Sequence, residues 1–498
     1  MKYPVIAAFL CAAPAYADIA PDDVLESWRT FYAGFEATIS VGDHQIDGKT
    51  TRFNGVMSQL NAANSETRYH FDWIDMRANH DGSVDISFSP NGYAESKTEM
   101  AIGQPVTSQI TYNLSELAIH ATGSPGDIHY SYTAPLISVS QTQSLPEMDV
   151  TFTANVENAS GEVESLIDIT ESGPRVTESG EWQYGSLSGS VTYGFEAGSD
   201  FSLTFAEQGS SASYEVGFPQ KPIPEVAGSN LLYPADLDLD MTYLSGLLQV
   251  SAAFGDEDNE GEFEYTHQSG AIFVAFSRNI ISYSFAADGA AIAVENSNPL
   301  LPNFSAAFGH ALTGLSVPIA KSDTASPFSL TVELAGFTLG EEVWAGFDPD
   351  GTLSHAPAGF NFSISGSIRM LVDFFDSSAM ARLQSAPAEI RSLSLDSLSV
   401  DFEGMGLTGD GDVTFNNDRI DPMSGMPEPK GVLDFSINGA LGLLDKIGRL
   451  GVGDPMAIIG MKGALGMFAT PNSGPDSFTS RVEFAEGGHI SVNGQQVK

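Results

Sequence analysis

Apolar and polar residues alternate with a period of two along most of this chain. Val84, Ile86 and Phe88 show the pattern, which recurs at Val150, Phe152, Ala154 and Val156, at Val191, Tyr193 and Phe195, and at Phe201, Leu203 and Phe205. It returns at Leu330, Val332 and Leu334, at Phe360, Phe362 and Ile364, and at Leu433, Phe435 and Ile437, with Ser, Thr, Asp and Asn between. Successive side chains of a strand point to opposite faces, so each run predicts a strand with one apolar and one wet face, the mark of antiparallel sheet. The pairs Asn54-Gly55, Asp81-Gly82, Asn91-Gly92, Asp288-Gly289, Asp350-Gly351, Asp410-Gly411 and Asn493-Gly494 supply positive φ and predict hairpin turns between such strands.

Helical periodicity is confined to short stretches. Val24, Leu25, Trp28, Phe31, Tyr32 and Phe35 follow Pro21, Asp22 and Asp23, which predicts an amphipathic helix with proline and acidic residues in its first turn. Further short helices are predicted at Glu341–Phe347, Met370–Leu383, Ala440–Leu450 and Pro455–Phe468, the last capped by Asp454. The predicted fold is therefore mainly β: long antiparallel meanders in two sheet-rich domains, each a curled trough or a sandwich, with a few capping helices. Pro219, Pro222, Pro224 and Pro234 interrupt the strand-like text and place the boundary near residue 220, giving domains 18–220 and 221–498.

The first residues have a different character. Met1-Lys2, the apolar run Val5 to Ala13 and the small-x-small site Ala15-Tyr16-Ala17 read as a signal peptide over 1–17, cleaved after Ala17. A periplasmic location is the expectation. The apolar run is far shorter than the ~20 residues of a spanning helix, so no transmembrane segment is expected in the mature chain. The one cysteine, Cys11, falls inside the leader, leaving no disulfide after cleavage.

Composition narrows the partners. Asp plus Glu number 64 against 21 Lys plus Arg, a formal charge of -43, and the basic residues form no cluster. Nucleic acid, whose binding depends on clustered cations, is excluded as a partner.

Catalytic and metal motifs are mostly missing. There is no Gly-x-Ser-x-Gly elbow and no HExxH pair, and the nine histidines are dispersed, so no nucleophile and base pair up in the sequence. Asp256-Glu257-Asp258-Asn259-Glu260-Gly261 begins like a calcium loop, but His267 stands where the bidentate carboxylate belongs, and an acidic hairpin tip accounts for it. Asp236, Asp238 and Asp240 share the wet face of one strand. The expectation is no enzyme, no metal and no cofactor. The most unusual text runs from Ile437 to Phe468, where glycines separate large apolar residues; Leu441, Leu444, Ile458, Met461, Leu465 and Phe468 are candidates for an apolar lid on a helical hairpin.

Several motifs resemble the alphaproteobacterial domain-of-unknown-function 2125 family. They are Pro318-Ile319-Ala320-Lys321-Ser322-Asp323-Thr324 with Pro327-Phe328, Val343-Trp344-Ala345-Gly346-Phe347-Asp348-Pro349, Leu443-Leu444-Asp445-Lys446, and the ending Val482-Glu483-Phe484, Gly487-Gly488 and Val492-Asn493-Gly494-Gln495. The opening helix with Trp28 and Tyr32 looks similar too. The resemblance implies an exported Gram-negative envelope protein and transfers no catalytic residue. The alternating strands and the Asn-Gly-Gln ending are, more distantly, similar to AsmA-like envelope proteins, whose sheets form an apolar groove for lipid.

Two functions follow as expectations. One is a protein that binds lipid or another apolar ligand in a sheet groove without catalysis, because one-sided strands outnumber the helices able to cover them. The other is a structural or interaction sandwich of the envelope with no ligand.

Overall fold

The computed structural model describes residues 18–497 except 36, 63–64, 100–105, 146–147, 171–172, 196–199, 220–236, 256–259, 298–302, 384–385, 422–424 and 452–453. The expected leader, most of the proline-rich boundary, Asp236 and the head of the acidic run at 256–259 lie outside the described residues. The fold is mainly β, as the alternation predicts, and every strand register described below is antiparallel.

Chain order begins with α1 (Pro21–Ala33), then β1 (Ala37–Ser40), β2 (Asp43–Asp47), β3 (Thr50–Ala62), β4 (Ser65–Ala78), β5 (Val84–Phe88), β6 (Asn91–Thr98), β7 (Val106–Asn113) and β8 (Ala118–Ser124). Four long strands follow: β9 (Asp127–Leu145), β10 (Met148–Thr170), β11 (Gly173–Phe195) and β12 (Asp200–Pro219). Next come β13 (Asp238–Ser245), β14 (Leu247–Gly255), β15 (Glu260–His267), β16 (Ser269–Phe276), β17 (Ile280–Asn296), β18 (Phe304–Pro318) and β19 (Ser326–Leu339). After α2 (Glu341–Phe347) come β20 (Ala358–Met370), α3 (Ser377–Arg382), β21 (Ala388–Phe402), β22 (Met405–Ile420) and β23 (Pro427–Asn438). The chain ends with α4 (Ala440–Leu450), α5 (Pro455–Phe468), β24 (Thr470–Pro471), β25 (Ser477–Ala485), β26 (His489–Val492) and β27 (Gln495–Gln496).

Two units share this chain. One takes residues 1–138, 158–182 and 218–222, the other 139–157, 183–217 and 223–498, so the chain passes between units at several points, of which Phe218–Pro222 is one. In the first unit α1 lays Val24 and Leu25 onto Ile74, Met76, Val84 and Ile128, all buried, and Trp28 stacks on Phe88 at 6.3 Å. Each such side chain contributes roughly 1.5–3 kcal/mol by burial. Gly34 is required where it stands, because the Phe218 ring lies where a Cβ would be, 1.9 Å away.

Long strands repeatedly pair with two short ones set end to end. β3 spans β2 and β1, β4 spans β5 and β6, β12 spans β14 and β13, and β17 spans β16 and β15. At three of these junctions the long strand carries a positive-φ glycine: Gly55, Gly209 and Gly289. This corrects the turn expectation. Asn54-Gly55, Asp288-Gly289 and Asp410-Gly411 are interior to strands rather than hairpin tips, and Asn91-Gly92 opens β6 with no positive φ at Gly92. A positive-φ glycine serves a bulge as well as a turn, so the dipeptide alone does not separate them. Asp81-Gly82 and Asn493-Gly494 do lie between successive strands, as expected, whereas Asp350-Gly351 lies in the loop from α2 to β20 and joins no hairpin.

The helix expected at Met370–Leu383 is also corrected. Met370 ends β20, paired with Ala388 of β21, and the helix is limited to Ser377–Arg382, where Asp376 caps it by accepting from Ala379 N at 2.8 Å. The other helices match their expected spans, α1 ending slightly earlier. No described helix is long and apolar enough to cross a membrane.

Candidate apolar binding face

The registers of the second unit bring the apolar half of each strand into common rows. One row runs Tyr283, Leu315, Leu330, Ile364, Leu395, Gly411, Leu433, Val482 and Val492, each directly opposite the next from β17 to β26. Beside it run Phe285, Thr313, Val332, Phe362, Leu398, Gly409 and Phe435. A third row runs Ala311, Leu334, Phe360, Val400, Leu407, Ile437 and Phe478. Directly opposed residues share a face, so these rows form one apolar band.

Bulges hold the band in phase. Leu395 and Leu398 are an odd number of residues apart and would face opposite sides of a regular strand. Ser363 pairs with Ser397 and Ile364 with Leu395, so Asp396 is the extra residue that returns both leucines to one face. Gly409 and Gly411 lie beneath Phe435 and Leu433, which would meet a Cβ at 2.6 and 3.0 Å.

The opposite face is polar and internally bonded. Ser282 and Ser316 hydroxyls meet at 2.7 Å, Thr331 and Ser363 at 3.1 Å, and Ser367 and Ser392 at 2.7 Å, while Ser397 donates to Asn361. The apolar band, in contrast, is only partly covered, although Val413, two residues on from Gly411 on the same face, is buried. None of the Leu, Ile, Val, Phe or Tyr side chains in the three rows is buried, and Tyr283, Phe285 and Phe360 are exposed by 42%, 44% and 38%.

The candidate lid residues lie on α4 and α5. Leu441, Leu444, Ile458 and Leu465 are half-buried, whereas Met461 and Phe468 are exposed. Ile458 packs over the α4 backbone at Gly448, where a Cβ would stand 3.8 Å from its Cδ1. The hairpin is inserted between β23 and β25, which pair directly through Ile437 and Phe478. Gly439 cannot cap α4, so Asp476 does: its carboxylate accepts from Leu441 N at 2.9 Å and Gly442 N at 2.8 Å.

Two buried polar clusters were not legible in the sequence. In the first, Glu207 accepts from Tyr184 at 2.8 Å, Ser210 at 2.7 Å and Tyr243 at 2.5 Å. Burial alone would raise its pKa; these hydroxyl donors outweigh burial and leave it below the ordinary value. Tyr184 and Tyr243 are pushed up, first by burial. Close by, Ser245 Oγ lies 2.6 Å from His267 Nε2, and Tyr265 OH lies 3.1 Å from Nδ1. The structure thus pairs a serine with an imidazole where the sequence suggested no pair. Such a contact opens many nucleophilic mechanisms, but His267 is 5% exposed, burial lowers its pKa, and the neighbouring Gly246 N donates to Ser210 rather than into an open site.

The second cluster centres on two buried carboxylates, Asp348 and Glu403. Asp348, with its side chain sealed, accepts from Thr352 N at 2.8 Å, Leu353 N at 2.7 Å and His355 Nε2 at 3.1 Å, and the His355 ring stacks on Trp344 at 4.0 Å. Glu403, equally sealed, accepts from Ser354 N at 2.7 Å and from Lys446 Nζ at 3.3 Å. Both carboxyls sit below their usual range: burial opposes this, and the amide donors, His355 and Lys446 prevail. These bonds tie the α2 loop and the β21–β22 turn to α4. His355 and Glu403 both adopt positive φ, a cost the bonds offset.

Among the described residues no group of three or more His, Cys, Asp or Glu side chains is placed to hold a metal ion, and Asp238 and Asp240 point to solvent. No protein-family model, no curated protein and no solved structure matches this chain.

Proposed function

We propose that this is an exported, periplasmic protein of the cell envelope that binds lipid or another apolar ligand along the band on its second unit, without catalysis. The observation that carries the reading is the continuous in-register apolar face whose large side chains stay half-exposed. Contiguous apolar surface of this extent marks an interaction or ligand site in soluble proteins. The bonded Ser/Thr face supports the same reading, because it gives the sheet a wet outer side and leaves the apolar side for a guest. The buried Ser245–His267 pair and the two carboxylate clusters serve as anchors at strand junctions and loops. The resemblance to the domain-of-unknown-function 2125 family accords with an envelope location.

Native mass spectrometry and lipid extraction of the processed protein, purified from the periplasm of its own cells, test this. Stoichiometric lipid is the expected result. A clean apo mass, with no binding of an environment-sensitive apolar dye, would overturn it in favour of a structural module.

A further inference from the structure

We propose that α5 is a membrane-contact element that seats this protein on the surface of a lipid bilayer, inserting its exposed side into the outer acyl region.

α5 has no acidic residue in its 14 positions, in a chain with 64 Asp plus Glu. Its one cation, Lys462, is neutralised by Asp445 at 2.5 Å, which also holds the Asp445 carboxyl below its usual range. No residue of α5 is buried, and Met456, Ile459, Met461, Met467 and Phe468 are exposed by 70%, 61%, 50%, 69% and 43%.

The distribution of these side chains selects the occupant. At about 100° per residue, Ile458, Lys462 and Leu465 share the side turned to α4, while the exposed apolar residues sweep an arc of about 200° round the remainder. A protein groove or a second copy covers a stripe of roughly 100° and would leave apolar side chains in water on either flank. Hydrocarbon covers the whole arc. The helix is about 21 Å long, short of the ~30 Å hydrocarbon thickness, so it lies in the interface and does not span. Charge agrees with this placement, because an acid-free helix lets a strongly anionic protein approach a bilayer at one point without carboxylate desolvation. The hairpin also leaves the sheet at Asn438, beside Ile437 of the apolar band, and rejoins it at Thr470–Pro471, where Pro471 pairs with Phe478 of that band, so the element that meets lipid adjoins the face proposed to hold it.

Flotation with phosphatidylcholine vesicles tests the inference on the processed chain. The wild type is expected to float. The triple variant Met456→Ser, Ile459→Ser, Met467→Ser is expected to lose more than ~100-fold in partition, since each large apolar side chain moved from water to hydrocarbon is worth about tenfold. These residues are mostly exposed, so far-UV circular dichroism and the thermal midpoint are expected to change little. As a second measurement, bimane on Met467→Cys of the processed chain is expected to shift blue on adding vesicles, while bimane on Thr408→Cys is not. A wild type that stays unbound, a triple variant that floats like wild type, or a variant whose only change is from dimer to monomer without vesicles would each overturn the proposal. The groove reading fails separately: wild type that floats but carries no extractable ligand defeats the groove and leaves α5 standing.

Discussion

Replacing Val332 by Asp puts a carboxylate at the centre of the apolar band, between Thr313 and Phe362 in the row of directly opposed residues. Val332 is already half-exposed, so the unliganded protein is expected to lose about 1 kcal/mol or less. The liganded state differs, because an acyl chain lying on the band removes the remaining water. The Asp then avoids burial as an ion by taking up a proton. At pH 7 that costs about 1.36 kcal/mol per unit above an ordinary pKa near 3.9, or about 4 kcal/mol. Loss of the valine contact adds about 1 kcal/mol. Together these come to about 5 kcal/mol, so affinity is expected to fall by about three and a half orders of magnitude, with the deficit shrinking about tenfold per unit as pH falls from 7 towards 4. Displacement of a fluorescent fatty acid measures both. Thr331→Asp is the control on the polar face: it removes the bond to Ser363 at about 1 kcal/mol of stability and leaves affinity within about twofold. Equal effects of the two variants, or a Val332→Asp deficit that does not diminish in acid, would refute the one-sided band as the binding face.

Three further outcomes are expected. Glu207→Gln removes the charge from three hydroxyl bonds and is expected to cost about 2–3 kcal/mol in urea unfolding at pH 7. The folded pKa of Glu207 lies below its ordinary 4.5, so its contribution is present above that value and is lost as pH falls beneath it; wild type should therefore lose stability more steeply than the variant below about pH 4.5. Lys446→Met leaves the sealed Glu403 carboxylate without its cation, and because the lysine is itself 28% exposed the expected cost is about 2 kcal/mol, under the ~3–5 of a fully buried pair; an unchanged melting curve would show that Ser354 alone holds Glu403. Gly209→Ala meets open space and pays for positive φ alone, about 1–2 kcal/mol, whereas Gly246→Ala drives a Cβ to 1.8 Å from the Gln208 carbonyl and is expected to cost about 3 kcal/mol or more. Thermal unfolding that ranks these two in the reverse order would contradict the junction geometry.

Residue order alone was enough for the class of fold and for much of the apolar face. Period-two alternation at Leu330, Val332 and Leu334 fixes which side of that strand is apolar, since side-chain direction in a strand depends on the residue count alone. The doubled polar step Asp396-Ser397 between Leu395 and Leu398 is where the alternation changes phase, and a bulge stands there. Pro21, Asp454 and Pro455 marked helix starts for the same local reason: a cap or a missing N–H acts within one turn. Partnership over long separations was decided by the tertiary structure. Nothing near Glu207 in sequence announces Tyr243, nor near Glu403 announces Lys446, because those bonds follow from strand register and loop packing. An Asn-Gly or Asp-Gly pair likewise specifies a positive φ and not its use; whether the neighbouring strand ends opposite it makes the glycine a bulge at a junction or the tip of a hairpin. That the apolar rows stay open is also a tertiary fact, for the alternation shows which side of a strand is apolar, and only the placement of α4 and α5 at the strand ends shows how little of it they cover.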